Sequence, residues 1–166
     1  MEKLDWKVRD AAKDDVPVLS DLIKKLAEYE KMLDECVATD ELYMKYGFGD
    51  EAIFSALLAE NTGSEDPPYF GMALYYYTYS TFTGRPTLYL EDLYVLEEYR
   101  SRGIGTSMLK RLAQIALEKD CARMEWTCLD WNEPSIKYYL SLGAKPMDEW
   151  TVYRLTPTEL KRLIDK

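Results

Sequence analysis

The chain has 166 residues, 47% hydrophobic and 31% charged, which reads as a globular protein long enough to bury a core. Its 21 Lys and Arg against 30 Asp and Glu give a net charge of −9, so no extended basic surface is available to neutralise nucleic-acid phosphates. Histidine is absent, which excludes Ser-His and Cys-His catalysis and histidine-ligated metals; no metal is expected, and acid–base chemistry falls to carboxylates, tyrosine, lysine, cysteine or water.

The N-terminus is charged and has no apolar leader core, and no apolar run approaches a membrane span. Cys36, Cys121 and Cys128 are an odd set without metal-ligand spacing. Free thiols and a cytoplasmic location, without membrane or nucleic-acid partners, are therefore expected.

In chain order, Trp6 to Arg9 alternates and reads as a strand. Asp14-Asp15 precede a helix over Val16 to Glu30, with Val18, Leu19, Leu22, Ile23 and Leu26 at helical spacing. A weaker helix runs from Thr39 to Lys45 and is ended by Gly47 and Gly49. Ile53 to Ala59 is a strand, and Asn61 to Pro68 a polar loop. Tyr69 to Tyr79 and Thr87 to Leu96 form a hairpin around Gly84-Arg85-Pro86. Gly103 to Glu118 is a helix with Ile104, Met108, Leu112 and Ile115 on one face. Arg123 to Leu129 is a strand. Asn132 caps a helix with Pro134 in its first turn and Gly143 at its end. Trp150 to Leu155 is a last strand, and Thr156-Pro157-Thr158-Glu159 caps a terminal helix. The order predicts an α/β (α+β) layer fold in one domain, residues 1–166, with a mixed twisted sheet flanked by helices.

The turn Arg100-Ser101-Arg102-Gly103-Ile104-Gly105 follows a strand and opens a helix. The first amides of a helix lack intrahelical partners and carry the positive end of the dipole, which makes an anion site. Gly103 and Gly105 let a pyrophosphate approach the backbone, and Arg100 and Arg102 add matching charge. A P-loop would need Gly-Lys-Ser/Thr, and the dinucleotide fingerprint a third glycine where Met108 stands. Within Leu88 to Val95, two carboxylates, Glu91 and Asp92, interrupt an apolar strand; alternation sends them to opposite faces. Tyr138 and Tyr139 follow Asn132-Glu133-Pro134-Ser135 by one helical turn, a placement that also suits core or rim packing.

The pattern Arg-x-x-Gly-x-Gly resembles the acetyl-CoA pyrophosphate loop of the Gcn5-related N-acetyltransferases. Leu90-Glu91-Asp92, Tyr99-Arg100, Gly103-Ile104-Gly105 and Asp130-Trp131-Asn132-Glu133-Pro134-Ser135 look like the diamine (spermidine/spermine) acetyltransferase family. So do Leu26 to Glu30, Tyr46-Gly47-Phe48-Gly49 and Tyr75 to Tyr79, so the likeness covers nearly the whole chain. It implies acetyl-CoA as co-substrate, a small amine acceptor and a homodimer. Leu93, Tyr94 and Val95 would meet the pantetheine arm. Arg100, Ser101, Arg102, Gly103, Ile104, Gly105 and Thr106 would hold the pyrophosphate, with Asn132, Glu133, Pro134, Ser135 and Tyr139 on the cofactor's other side. Tyr139 would protonate the departing thiolate. Glu91 would bind the amine and assist its deprotonation through water. Tyr29, Glu30, Glu91, Asp92, Glu125, Trp126 and Thr127 would line the substrate.

Three departures bear on the substrate. Ser101 stands where the family commonly has glycine. Ser80-Thr81 replaces an acidic position of the polyamine-type members and, with Leu129-Asp130-Trp131-Asn132, resembles the thialysine-acetylating branch. The loop Lys145 to Trp150 is shorter, with Asp148 or Glu149 as acidic substitutes. Thialysine or a related amino-acid amine is therefore expected ahead of diamines and polyamines, with a non-catalytic acetyl-CoA-binding module and a protein amine acetyltransferase as the other readings.

Overall fold

Five strands pair in sequence order: β1 (Trp6–Asp10), β2 (Ser55–Asn61), β3 (Tyr69–Ser80), β4 (Arg85–Val95) and β5 (Arg123–Trp126). The computed structural model describes residues 4–63 and 67–165. Residues 1–3 of the expected leaderless N-terminus and residues 64–66 of the Asn61–Pro68 loop lie outside them. The first four strands run antiparallel, and β5 joins β4 in parallel, from Thr87 opposite Arg123 to Leu90 opposite Trp126. A parallel neighbour requires a crossover, here the helix α3 (Ile104–Glu118). The helices α1 (Val16–Tyr29) and α2 (Asp40–Phe48) precede β2. The sheet is the mixed one the element order predicts.

The chain divides into two compact units, 1–127 and 128–166. In the first, Leu19, Leu22 and Leu26 of α1 pack on Ala56, Leu58, Met72, Leu74 and Tyr94 of the sheet. The alternate residues Leu57, Ala59 and Ala73 are also fully buried, on the opposite face. The apolar stripe of α3, Ile104, Met108, Leu112 and Ile115, is buried in the way its spacing predicts. The start of α1 is fixed by an ion pair. Arg9 donates to both oxygens of Asp15 at 2.7 and 2.9 Å, and the Tyr69 hydroxyl donates to Asp15 at 3.0 Å. The guanidinium holds the Asp15 carboxyl down to about 2.

The second unit contains α4 (Glu133–Ser141) and α5 (Pro157–Ile164). Pro157 starts α5 behind the Thr156–Glu159 capping box, as the sequence predicts. The strand expected over Trp150–Leu155 is absent. Its alternation is not sufficient: a strand exists only where another backbone takes its N–H and C=O groups. Trp150, Val152, Tyr153 and Leu155 are exposed, as are Leu160, Leu163 and Ile164 of α5. Two boundaries also move. β5 ends at Trp126 rather than Leu129, and α2 runs through Gly47 to Phe48. Among the described residues, no helix is long and apolar enough to cross a membrane.

Candidate active site

A single slipped residue in β4 gathers the acids. Leu74 pairs with Asp92 and Tyr75 with Leu90, so Glu91 is an extra residue with no partner in β3. Such a bulge interrupts alternation and re-aims side chains. The Tyr76 hydroxyl donates to Glu91 Oε2 at 3.2 Å, and Tyr76 shares a face with Leu74, two residues earlier. Leu74 in turn packs under α1 opposite Asp92. Glu91 and Asp92 therefore share the α1 face. The expectation of opposite faces fails because period-2 counting assumes an unbroken ladder.

The two carboxylates differ in environment. Glu91 is exposed. Burial, then the charges of Glu91 and Glu30, push the Asp92 carboxyl up to about 7. Burial also raises Glu30, at the end of α1. Tyr43 on α2 is pushed up to about 12 by burial, with the charges of Cys36 and Asp92 adding to it. Tyr76 is likewise raised to about 12, by burial and then by Glu91. The rings of Tyr76 and Tyr89 lie 5.2 Å apart beside Glu91. Carboxylates flanked by aromatic faces attract an ammonium group, and a carboxyl near 7 can both take and release its proton at neutral pH.

The bulge also marks the point where β4 leaves β5. Their pairing ends at Leu90 and Trp126, and β4 continues through Leu93, Tyr94 and Val95 with no strand among the described residues paired on that side. This leaves strand backbone available to an extended arm. An open cavity of about 350 Å³ lies at this end of β4, lined by Tyr29, Tyr94, Leu96, Lys25 and Glu28 among others.

Beyond it comes the basic turn. Gly103, with φ 87°, is the N-cap of α3, and the first bond closing the helix runs from the Ser107 amide to the Gly103 carbonyl at 2.9 Å. The amides of the turn before it point out of the helix end. Nothing lies within 4 Å of where a Gly103 Cβ would sit, and a Gly105 Cβ would only touch Val95 Cγ2 at 3.7 Å. The cradle is open, and its donors suit a pyrophosphate. Ser101 adopts φ 61°, the conformation that favours glycine and accounts for a glycine commonly standing there.

The other expected residues divide into separate groups. Tyr29 and Glu30 lie at the end of α1, and Glu30 acts on Asp92. Trp126 stands opposite Leu90, one residue before the bulge, while Glu125 is engaged by Arg123 at 2.7 Å and Thr127 is exposed. Ser80 lies at the hairpin tip, where its hydroxyl accepts from the Thr83 amide at 3.4 Å. Five residues of strand separate it from the bulge, about 17 Å at strand rise. Tyr43 and Tyr76 were not among the expected site residues. Tyr76 lies within the Tyr75 to Tyr79 run that carries part of the family likeness; nothing local points to Tyr43.

In the second unit, the Asn132 side chain accepts from the Ser135 amide at 3.4 Å and caps α4. Glu133 is exposed and pairs with Lys137 at 3.2 Å. Pro134 occupies the first turn. Tyr139 lies 5.8 Å from the Tyr138 ring, and burial, then Cys128 and Tyr138, push its phenol up to about 12. Among the described residues no group of three or more His, Cys, Asp or Glu side chains is placed to hold a metal ion.

The profile of the acetyltransferase (GNAT) family matches residues 21–144. The thialysine N-epsilon-acetyltransferase of Sus scrofa is 37% identical over 166 residues, covering 96% of this chain and 97% of its own length. The human spermidine/spermine N(1)-acetyltransferase-like protein 1 is 40% identical over 161 residues, which are 93% of this chain and 23% of that protein. An integron cassette protein from the mobile metagenome of V. cholerae superposes with a TM-score of 0.80 at 24% identity, covering 99% of this chain and 100% of its own, and shares the fold. Enzymes of this family use acetyl-CoA as co-substrate. With the profile and the full-length relatives in agreement, this chain belongs to the GNAT family and is an N-acetyltransferase.

Proposed function

We propose that the chain moves the acetyl group of acetyl-CoA to the primary amine of a small cationic substrate, thialysine or a related amino-acid amine. The observation that carries this is the carboxylate group on the β4 bulge: Glu91 exposed beneath the Tyr76 hydroxyl, with Asp92 raised to about 7 beside it. An alkylammonium titrates near 10.4 and has no lone pair at neutral pH, so attack requires a proton acceptor. Glu91 and Asp92 attract the cation and take its proton through water. The neutral nitrogen then attacks the thioester carbonyl, and amides of the Leu93–Val95 segment stabilise the oxyanion. The C–S bond breaks, the nitrogen releases its second proton to water, and Tyr139 gives its hydroxyl proton to the departing thiolate and recovers one from solvent. Its raised pKa keeps that proton in place throughout the neutral range.

The turn from Ser101 to Thr106 holds the pyrophosphate, and Asn132, Glu133, Pro134 and Ser135 meet the cofactor, as the family likeness implies. Tyr29, Glu30, Trp126 and Thr127 line the acceptor, and Glu125 approaches it from its pair with Arg123. Residues 1–166 act as one cytoplasmic N-acetyltransferase domain. A homodimer, which the family likeness implies, gives cover to the exposed apolar residues of 150–155 and α5.

Thialysine stands ahead of a polyamine for two reasons. Full-length relatives carry that name. The Ser80-Thr81 pair and Leu129-Asp130-Trp131-Asn132 also resemble the thialysine-acetylating branch. A spermidine-type acceptor is the second reading, favoured by the human relative. Side-by-side kcat/KM values for thialysine, lysine, putrescine, spermidine and spermine test the ranking. Thialysine is expected to lead; a spermidine preference reverses the order of the two readings, and transfer to none of the amines overturns both.

A further inference from the structure

Arg100 is the first residue of the basic turn, yet its guanidinium points back into the fold. Its Cζ lies 4.5 Å from the centroid of the Tyr29 ring and 5.5 Å from that of Tyr94. Its Nε donates to the Val95 carbonyl at 3.0 Å, and Nη1 stands 3.9 Å from Glu97. Tyr29 ends α1, one residue before Glu30. Tyr94 and Val95 end β4, beyond its divergence from β5. One side chain therefore joins the acceptor edge to the strand end expected to meet the thioester arm.

We propose that Arg100 is a positioning residue, a clip that fixes Tyr29 and Glu30 at a set spacing from the Tyr94–Val95 backbone, rather than a ligand of the pyrophosphate. This rests on the acetyl-transfer reading above. The chemistry is specific to arginine. A planar cation stacks on an aromatic ring while its edge donates a charge-assisted bond, and lysine, a hydrated point charge, cannot do both. Transfer between two bound partners depends on their separation, and a misplacement of about 1 Å can lower the rate on the order of 100-fold.

The test uses two donors, acetyl-CoA and S-acetylpantetheine, which carries the same thioester and arm without phosphates. Arg100→Lys, Tyr29→Leu and the double variant are compared with the unmodified chain by kcat/KM per folded enzyme, with thermal melts for each. Arg100→Lys is expected to lose about tenfold or more, by the same factor with both donors, because the phosphates take no part in the clip. Tyr29→Leu is expected to lose a similar factor, and the double variant little more than either, since both remove one contact. A defect confined to acetyl-CoA makes Arg100 a phosphate ligand and overturns the proposal. Losses that simply multiply in the double variant also overturn it. If Tyr29→Leu does not fold, the donor comparison in Arg100→Lys decides; if acetylpantetheine is too poor a donor to measure, the double-variant cycle with acetyl-CoA decides. Absence of transfer by the unmodified chain overturns the acetyl-transfer reading itself.

Discussion

The Tyr76 hydroxyl donates to Glu91 Oε2 at 3.2 Å, across a strand pair whose register has slipped by the one residue that Glu91 adds. The slip brings Glu91 to the face where Asp92 lies half-buried opposite Leu74. Two adjacent acids become a pair: one open to an incoming cation, the other in surroundings that favour its neutral form.

That pair sets a pH dependence. kcat/KM is expected to rise with pH through an apparent value near 7, set by the raised Asp92 carboxyl and belonging to the Glu91–Asp92 pair. Below it, Asp92 is protonated and neither attracts an ammonium nor accepts its proton. Asp92→Asn should abolish this ionisation and lower kcat/KM by about 100-fold; an unchanged profile would assign the ionisation elsewhere. Stability runs the other way. Between the ordinary carboxylate value of 3.8 and about 7, the folded chain binds a proton that the unfolded chain has lost, so stability falls as pH rises through this window. Asp92→Asn should flatten that fall, as melts at several pH values would show.

Tyr139→Phe keeps the ring beside Tyr138 and removes the hydroxyl that is raised to about 12. Turnover is expected to fall by roughly 100-fold, with acetyl-CoA affinity little changed. Pre-steady-state kinetics separate the two quantities. Turnover equal to that of the unmodified chain would leave Tyr139 as a packing residue.

At Gly105 stability and function should part. An added Cβ meets only Val95 Cγ2, at the ordinary contact distance of 3.7 Å, and alanine favours a helix over glycine by about 0.5–1 kcal/mol. Gly105→Ala is expected to raise the melting temperature by a few degrees. The methyl group also narrows the approach to the α3 amides, so acetyl-CoA affinity should fall about tenfold. Calorimetry showing affinity unchanged would remove this turn from the phosphate site.

Ser101, at φ 61°, carries backbone strain of about 1–2 kcal/mol. Ser101→Gly relieves it, less the entropy a new glycine adds to the unfolded chain, for a net gain of about 0.5–1 kcal/mol. Chemical denaturation measures it directly. No gain would mean that the serine side chain offsets the strain.

What the sequence determined by itself is what local rules govern. The α3 stripe of Ile104, Met108, Leu112 and Ile115, the Asn132 cap, the Thr156–Glu159 capping box and the helix start at Gly103 all follow from helical period and turn chemistry within a few residues. The family likeness, carried by short motifs, was legible for the same reason. The tertiary structure alone decided relations between segments distant in the chain. The Glu91 bulge exists only against the register of β3, so alternation misplaced one of two adjacent acids. Residues 150–155 alternate like a strand but pair with no strand among the described residues. Arg100 reads as phosphate charge beside two glycines, yet it stacks on Tyr29, a residue 71 positions earlier that reaches it only when α1 packs on the sheet. Periodicity records what a segment can bury, whereas register and side-chain direction depend on which neighbour it meets.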